Sequence, residues 1–485
     1  MITANTIADD YAKLQAIILK LIKRKKYEKA CFFMMKAAVL MYNANLIYTD
    51  DELEHYLNEL SCMVLPESSV MGFTGGKDRI LLYDYFVLDN RGLTEQYLSG
   101  LMSIDCDLYF LGCQNGENSK EIYSKLKANN IRTYIIEPCC SELKKAESIF
   151  QIINDIKPTV IISHTAPWDI AGLMAINRFS SSCRKYLINI TDHAFWLGKT
   201  VFDYFFEFRN YGCCISTKYR GIPEDRLLKL PYYPIINKNI QFQGFDFETE
   251  GKRIIFSGGS IYKIKGSNVF LDIVKYILSN YPDTVFLFLG NGDSQFLQDF
   301  ISKNNFENRF YYRHERKDIY EIFKRCYLYI NTYPLIGGLM TQYACVCGKI
   351  PLTLNDKNDH CNDIYELMYD NNSLDIQFES IEDFKNKIDV YLNDKNLVDN
   401  DGDIISKSIV SETAFNSLLL NYINTPTNQL SIKYYDIDIS EFSKQYIARF
   451  NENNCLDYYK LFLSKNMVTL PYFFKYYIKY MMKVF

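Results

Sequence analysis

Two glycine turns in the second half of the chain hold the residue types that bind phosphate. One follows the apolar run Arg253-Ile-Ile-Phe-Ser257, breaks at Gly258-Gly259 and continues as Tyr262-Lys-Ile-Lys-Gly-Ser267, placing Lys263, Lys265 and Gly266 before an apolar helix. The other, Tyr329-Ile-Asn-Thr-Tyr-Pro334, leads into Leu335-Ile-Gly-Gly-Leu-Met-Thr341, with Gly337, Gly338 and Thr341 at a second helix start. Glycine at a strand-to-helix turn lets phosphate oxygens approach bare backbone N–H groups, and the helix N-terminus adds partial positive charge. Two such turns, one carrying lysines, suit a diphosphate, which is the leaving group of sugar transfer. An ammonium beside the β-phosphate stabilises the departing charge without a metal; losing one such contact typically lowers turnover by about 10²–10³. Read plainly, the lysines are solvated loop residues and the glycines serve backbone freedom alone.

A second group lies in the first half. His193, in Thr191-Asp-His-Ala-Phe-Trp196, follows the strand run Lys185–Ile190, at the edge where open α/β sheets place their sites. It can take a proton from a hydroxyl with Asp192 orienting it, and Phe195 and Trp196 can form a platform for a sugar's C–H face. His164, in Ser163-His-Thr-Ala-Pro-Trp168, occupies the equivalent edge of the preceding strand, though no acid adjoins it in sequence. Asn90 and Arg91, in Asp89-Asn-Arg-Gly-Leu-Thr94, open the first helix after the first strand. The plain alternatives are a histidine satisfied by backbone and an arginine on a surface loop. Asp105-Cys-Asp107 has the spacing of a metal-binding pair but fits a helix–strand turn better.

These residues need elements to position them. A chain of 485 residues is too long for one core. Residues 1–65 read as helices, a helical N-terminal extension. From Ile80, continuous Ile, Val, Leu and Tyr strands alternate with amphipathic helices, the pattern of a parallel sheet covered on both faces. The cycle repeats from Arg253. Residues 66–240 thus form one α/β domain, 241–395 a second, and 396–485 a helical C-terminal extension. In the last segment, Lys475, Lys479 and Lys483 fall on one helical stripe amid Phe, Tyr, Ile and Met. Docking on the protein is favoured over contact with a membrane surface for residues 471–485.

Bulk properties narrow the partners. A net charge of −4 provides no basic field for nucleic acid. The cysteines sit mostly in apolar runs, and no two Cys-x-x-Cys units occur at zinc spacing, so buried thiols of a cytosolic protein are expected. No run reaches transmembrane length and no signal peptide opens the chain. The expected location is cytoplasmic, with the inner face of the membrane as the place of any peripheral contact.

The two-unit layout resembles the glycosyltransferases of the GT-B fold. The resemblance rests on Phe256-Ser-Gly-Gly259 with Lys265-Gly266, on Leu287-Phe-Leu-Gly-Asn-Gly292, and on Asn331–Pro351. It implies two Rossmann-like domains facing across a cleft, the later one binding a nucleotide-sugar and the earlier one presenting the acceptor. It places Asn291, Arg313 and His314 with Gly258, Gly259 and Lys263 on the donor side, and Asn90, Arg91, His164 and Trp196 on the acceptor side. Many retaining members carry two glutamates where this chain has Pro334–Tyr343, a segment without an acid. Gly337-Gly338 with Thr341 is more similar to relatives of the inverting protein O-GlcNAc transferases, and both stereochemical outcomes stay open. The implied function is metal-independent transfer from a nucleotide-sugar, a UDP-sugar foremost, to a glycan, lipid-linked or protein acceptor, with no resident cofactor. His193, Asp192 and Lys265 are the implied catalytic set. A GT-B nucleotide-sugar epimerase and a non-catalytic scaffold partner of another transferase are the rivals.

Overall fold

The computed structural model describes the chain apart from residues 69–76, 90–92, 115, 137–140, 180–182, 238, 266, 370–373, 452–454, 465–466 and 485, and the side chains of 441, 442 and 484. Two compact units emerge: residues 1–230 with 416–485, and residues 231–415.

The first unit is built on seven strands: β1 Arg79–Asp84, β2 Asp107–Gly112, β3 Arg132–Ile135, β4 Val160–His164, β5 Arg184–Asn189, β6 Tyr204–Glu207 and β7 Leu227–Lys229. Their order is β3-β2-β1-β4-β5-β6-β7, with every pairing parallel. The central strands are buried almost throughout, because helices cover both faces of a parallel sheet. Strand order reverses between β1 and β4, where the register sets Asp84 opposite His164. The N-terminal helices Ala4–Lys23, Tyr27–Ala44 and Asp51–Val64 start with Thr3 and Asp50 as side-chain caps on the first and third. Ile18, Phe33 and Leu57 from these helices, Leu81 and Ile161 from the sheet, and Tyr458 and Phe473 from the C-terminal helices belong to one continuous core. The terminal helices expected as separate extensions are therefore part of the first unit.

The second unit has β8 Arg253–Gly258, β9 Thr284–Leu289, β10 Phe310–Arg313, β11 Leu328–Ile330, β12 Pro351–Leu354 and β13 Gln377–Phe378. The order is β10-β9-β8-β11-β12-β13, again all parallel. The turnover point here falls between β8 and β11. Parallel pairing sends the loops after β8, β9, β10 and β11 to one edge, the carboxyl edge. The helices Ile381–Asn393 and Lys395–Ile405 complete this unit, which extends past the expected boundary at 395. No helix among the described residues is long and apolar enough to cross a membrane.

Candidate functional site

At the carboxyl edge of the second sheet the two glycine turns meet. Gly258 ends β8, and Gly259 takes a left-handed φ of 143°. Gly259 N–H donates to Leu289 O at 2.9 Å and Ile261 N–H to Asn291 O at 3.0 Å, fastening the β8 loop to the β9 loop. This fit needs glycine: a Cβ on Gly290 would lie 1.9 Å from Gly259 O. On the other side, Leu335 N–H donates to Lys263 O, and Lys263 Nζ donates to Ile336 O at 2.6 Å. Lysine loop and double-glycine turn thus lie side by side, across the reversal between β8 and β11.

Lys263 is the cation at this junction. Burial pushes its ammonium down to about 8, and it donates to the Ile336 carbonyl. The ion pairs found among the described residues give it no carboxylate. Lys265 does not join it: its ammonium is exposed and pairs with Asp293 at 2.8 Å. Gly266 lies outside the described residues.

Gly337 caps the helix Gly338–Val346, whose first N–H groups have no intrahelical partner. Asn331 Oδ1 accepts the Gly337 N–H at 2.9 Å, and Asn362 Oδ1 accepts that of Ile336 at 3.1 Å, so the turn is held from behind. The hydroxyl of Thr341, expected to meet a diphosphate oxygen, is used internally. It donates to Gly337 O and accepts from Asn331 Nδ2 at 2.8 Å, and the residue is fully buried. Its role is to brace the turn. Asn291 and His314 stand together after β9 and β10, with Nδ1 3.1 Å from Oδ1, and both are exposed. Arg313, beside them, is paired with Asp246 at 2.7 Å.

In the first unit, His193 lies past β5 with its side chain 35 % exposed and Nδ1 3.3 Å from Asp192 Oδ1. Burial would raise the Asp192 carboxyl, but Arg209 and the His193 contact outweigh it and hold it down at about 2. Arg209 grips both carboxylate oxygens, at 2.6 and 3.0 Å. The loop itself is fixed through its carbonyls. Arg220 Nη2 donates to Thr191, Asp192 and Ala194, and Asn45 of the N-terminal helical layer donates to His193 O at 2.8 Å. Glu54 accepts N–H bonds from Gly198 and Lys199 just beyond. Underneath, burial pushes Glu207 up to about 7 against the pull of Arg220, Ser216 and Asn189 toward the carboxylate.

Trp196 and Phe195 do not form a platform. Both are buried in the core, Trp196 against Arg220 and Phe205, with no open ring face for a sugar. His164 does have an acid beside it, supplied by the neighbouring strand: Asp84 Oδ1 lies 3.2 Å from Nδ1. The pair is buried, and Nε2 has no partner among the described residues. Asn90 and Arg91 lie outside the described residues. Arg209, Arg220, Asn45, Asn331 and Asn362 escaped sequence reasoning, because each acts through a partner that only the fold brings near.

Comparison with known proteins bears on the fold. The sequence matches no family model and finds no match among curated proteins. The fold is similar to Anabaena HepE, solved in complex with UDP and glucose, at 13 % identity and TM-score 0.54, covering 72 % of this chain and 100 % of that one. It is also similar to a mutant O-GlcNAc transferase of Thermobaculum terrenum, at 13 % identity and TM-score 0.51 over 86 % and 80 % of the two chains. A UDP-N-acetylglucosamine 2-epimerase matches at 11 % identity and TM-score 0.53, over 75 % of this chain and all of that one. The chain therefore has the GT-B glycosyltransferase-like α/β fold, with helical terminal segments.

Proposed function

We propose that the chain transfers a sugar from a nucleotide-sugar, a UDP-sugar foremost, to a glycan, lipid-linked or protein acceptor. One observation carries this reading: Lys263 reaches Ile336 O, so an ammonium without a described counter-ion and the N-terminus of the helix Gly338–Val346 converge at one sheet edge. A diphosphate supplies the charge that this junction lacks. The acceptor oxygen attacks the anomeric carbon while the bond from that carbon to the β-phosphate oxygen breaks. The electron pair leaves with the diphosphate, toward Lys263 and the helix amides. A general base takes the acceptor's proton, and His193, steadied by Asp192, is the first unit's candidate for that role. The charge stabilisation assigned to these groups calls for no metal. Likeness to HepE, described with UDP and glucose, supports UDP as the nucleotide.

The 2-epimerase likeness favours a second reading, rearrangement of the nucleotide-sugar without an acceptor. Both readings meet one assay, a UDP-sugar panel with and without candidate acceptors in the presence of EDTA. Free UDP released only with an acceptor, at a rate the chelator leaves unchanged, is the expected result. Interconversion of the donor alone would replace transferase by epimerase. Absence of any nucleotide binding would leave a scaffold.

A further inference from the structure

The helix Leu470–Val484 is bound to the first unit by one face only. Phe473 and Tyr476 are buried in the core, Tyr476 and Tyr458 share the Asp10 carboxylate, and Lys13 donates to Tyr472 O. The opposite face carries Phe474, Ile478, Met481 and Met482, between 43 % and 77 % exposed. At about 100° per residue these four fall within one stripe. Exposed large apolar residues are scattered singly over the rest of the described chain, which is ordinary; here four share a single helix face. Lys475, Lys479 and Lys483 run along one flank of the stripe, and the helix contains no acid. Lys475 lies 3.7 Å from the Asp10 carboxylate.

We infer that this face lies in the surface of an anionic phospholipid membrane. Apolar side chains enter the acyl boundary and lysines meet lipid phosphates. At 15 residues the helix is short of the roughly 20 needed to span a bilayer, so it lies on the surface. An antiparallel two-fold pairing of this face with a second copy would set its lysine row against an identical one. The inference stands independently of the transferase reading. It places a sheet edge built for a diphosphate on a protein that works beside lipid.

The test is co-sedimentation of the full chain with vesicles of phosphatidylcholine alone or with phosphatidylglycerol, and sedimentation velocity without lipid. Binding is expected to the anionic vesicles and to weaken with salt. Replacing Lys475, Lys479 and Lys483 by Gln should weaken partition by about five-fold per lysine. A Phe474→Ser, Ile478→Ser, Met482→Ser variant should lose vesicle binding while keeping its Tm and its affinity for UDP, since these side chains face outward. Wild type left in the supernatant with anionic vesicles, or the apolar variant sedimenting undiminished, overturns the inference. A wild-type dimer lost in that variant, with no vesicle binding, assigns the face to a second copy instead.

Discussion

His193 and Asp192 are neighbours in sequence but differ in what holds them, so their substitutions should separate. The His193 side chain is partly exposed, and the bond from Asn45 is to its carbonyl, which alanine keeps. His193→Ala should therefore leave stability within about 0.5 kcal/mol and lower turnover by about 10²–10⁴. Asp192 is buried and ion-paired with Arg209. Asp192→Asn leaves that guanidinium without its counter-charge, at a cost of roughly 3–5 kcal/mol. Thermal denaturation beside turnover distinguishes the two; a His193→Ala variant of unchanged rate would remove the base. The legible part of this group was the sequence neighbour. Arg209 and Arg220 were not legible, since their partners are set by how β5 and β6 pair. Asp84 and His164, 80 residues apart in the chain, meet only through the register of β1 and β4.

Among the elements, the buried parallel strands were the most readable, because strands covered on both faces read as unbroken apolar runs. β8 falls within a residue of the apolar run Arg253–Ser257. Short strands were not readable. Tyr204–Glu207 ends in an acid that only the fold's Asn189 and Ser216 can satisfy, and Gln377–Phe378 is two residues long. The glycines of the second unit were readable as a set but not in their separate duties. Gly290 admits no side chain, since its neighbour is the rigid carbonyl of Gly259, whereas a Cβ on Gly338 would meet Leu367 and Tyr232 at an ordinary 3.6 Å. Gly290→Ala should cost about 1–3 kcal/mol or more and displace the β8 loop, weakening UDP binding with it. Gly338→Ala should fold as stably as the parent. Equal Tm values for the two variants would show that the loop contact is not needed.

On the scale of the whole molecule, the fold is that of the GT-B glycosyltransferases, repeated as two parallel sheets with opposed halves meeting at β1/β4 and β8/β11. The expectation of two α/β units was legible, because the apolar rhythm occurs twice. The grouping of the terminal helices was not, because their shared core joins residues more than 400 positions apart. The second unit's reversal point, with Lys263 against the double-glycine turn, is where the functional reading stands or falls. Calorimetric titration of UDP into wild type and Lys263→Met, from pH 7 to pH 10, addresses it most directly. The free lysine is charged below about 8, and a bound diphosphate raises its proton affinity. Wild-type affinity should thus hold below pH 8 and decline above it. Lys263→Met should bind at least about ten-fold more weakly at pH 7, with an unliganded Tm equal to or above the parent's. A Lys263→Met variant that binds UDP as tightly as wild type, or a wild-type affinity flat to pH 10, would contradict the account.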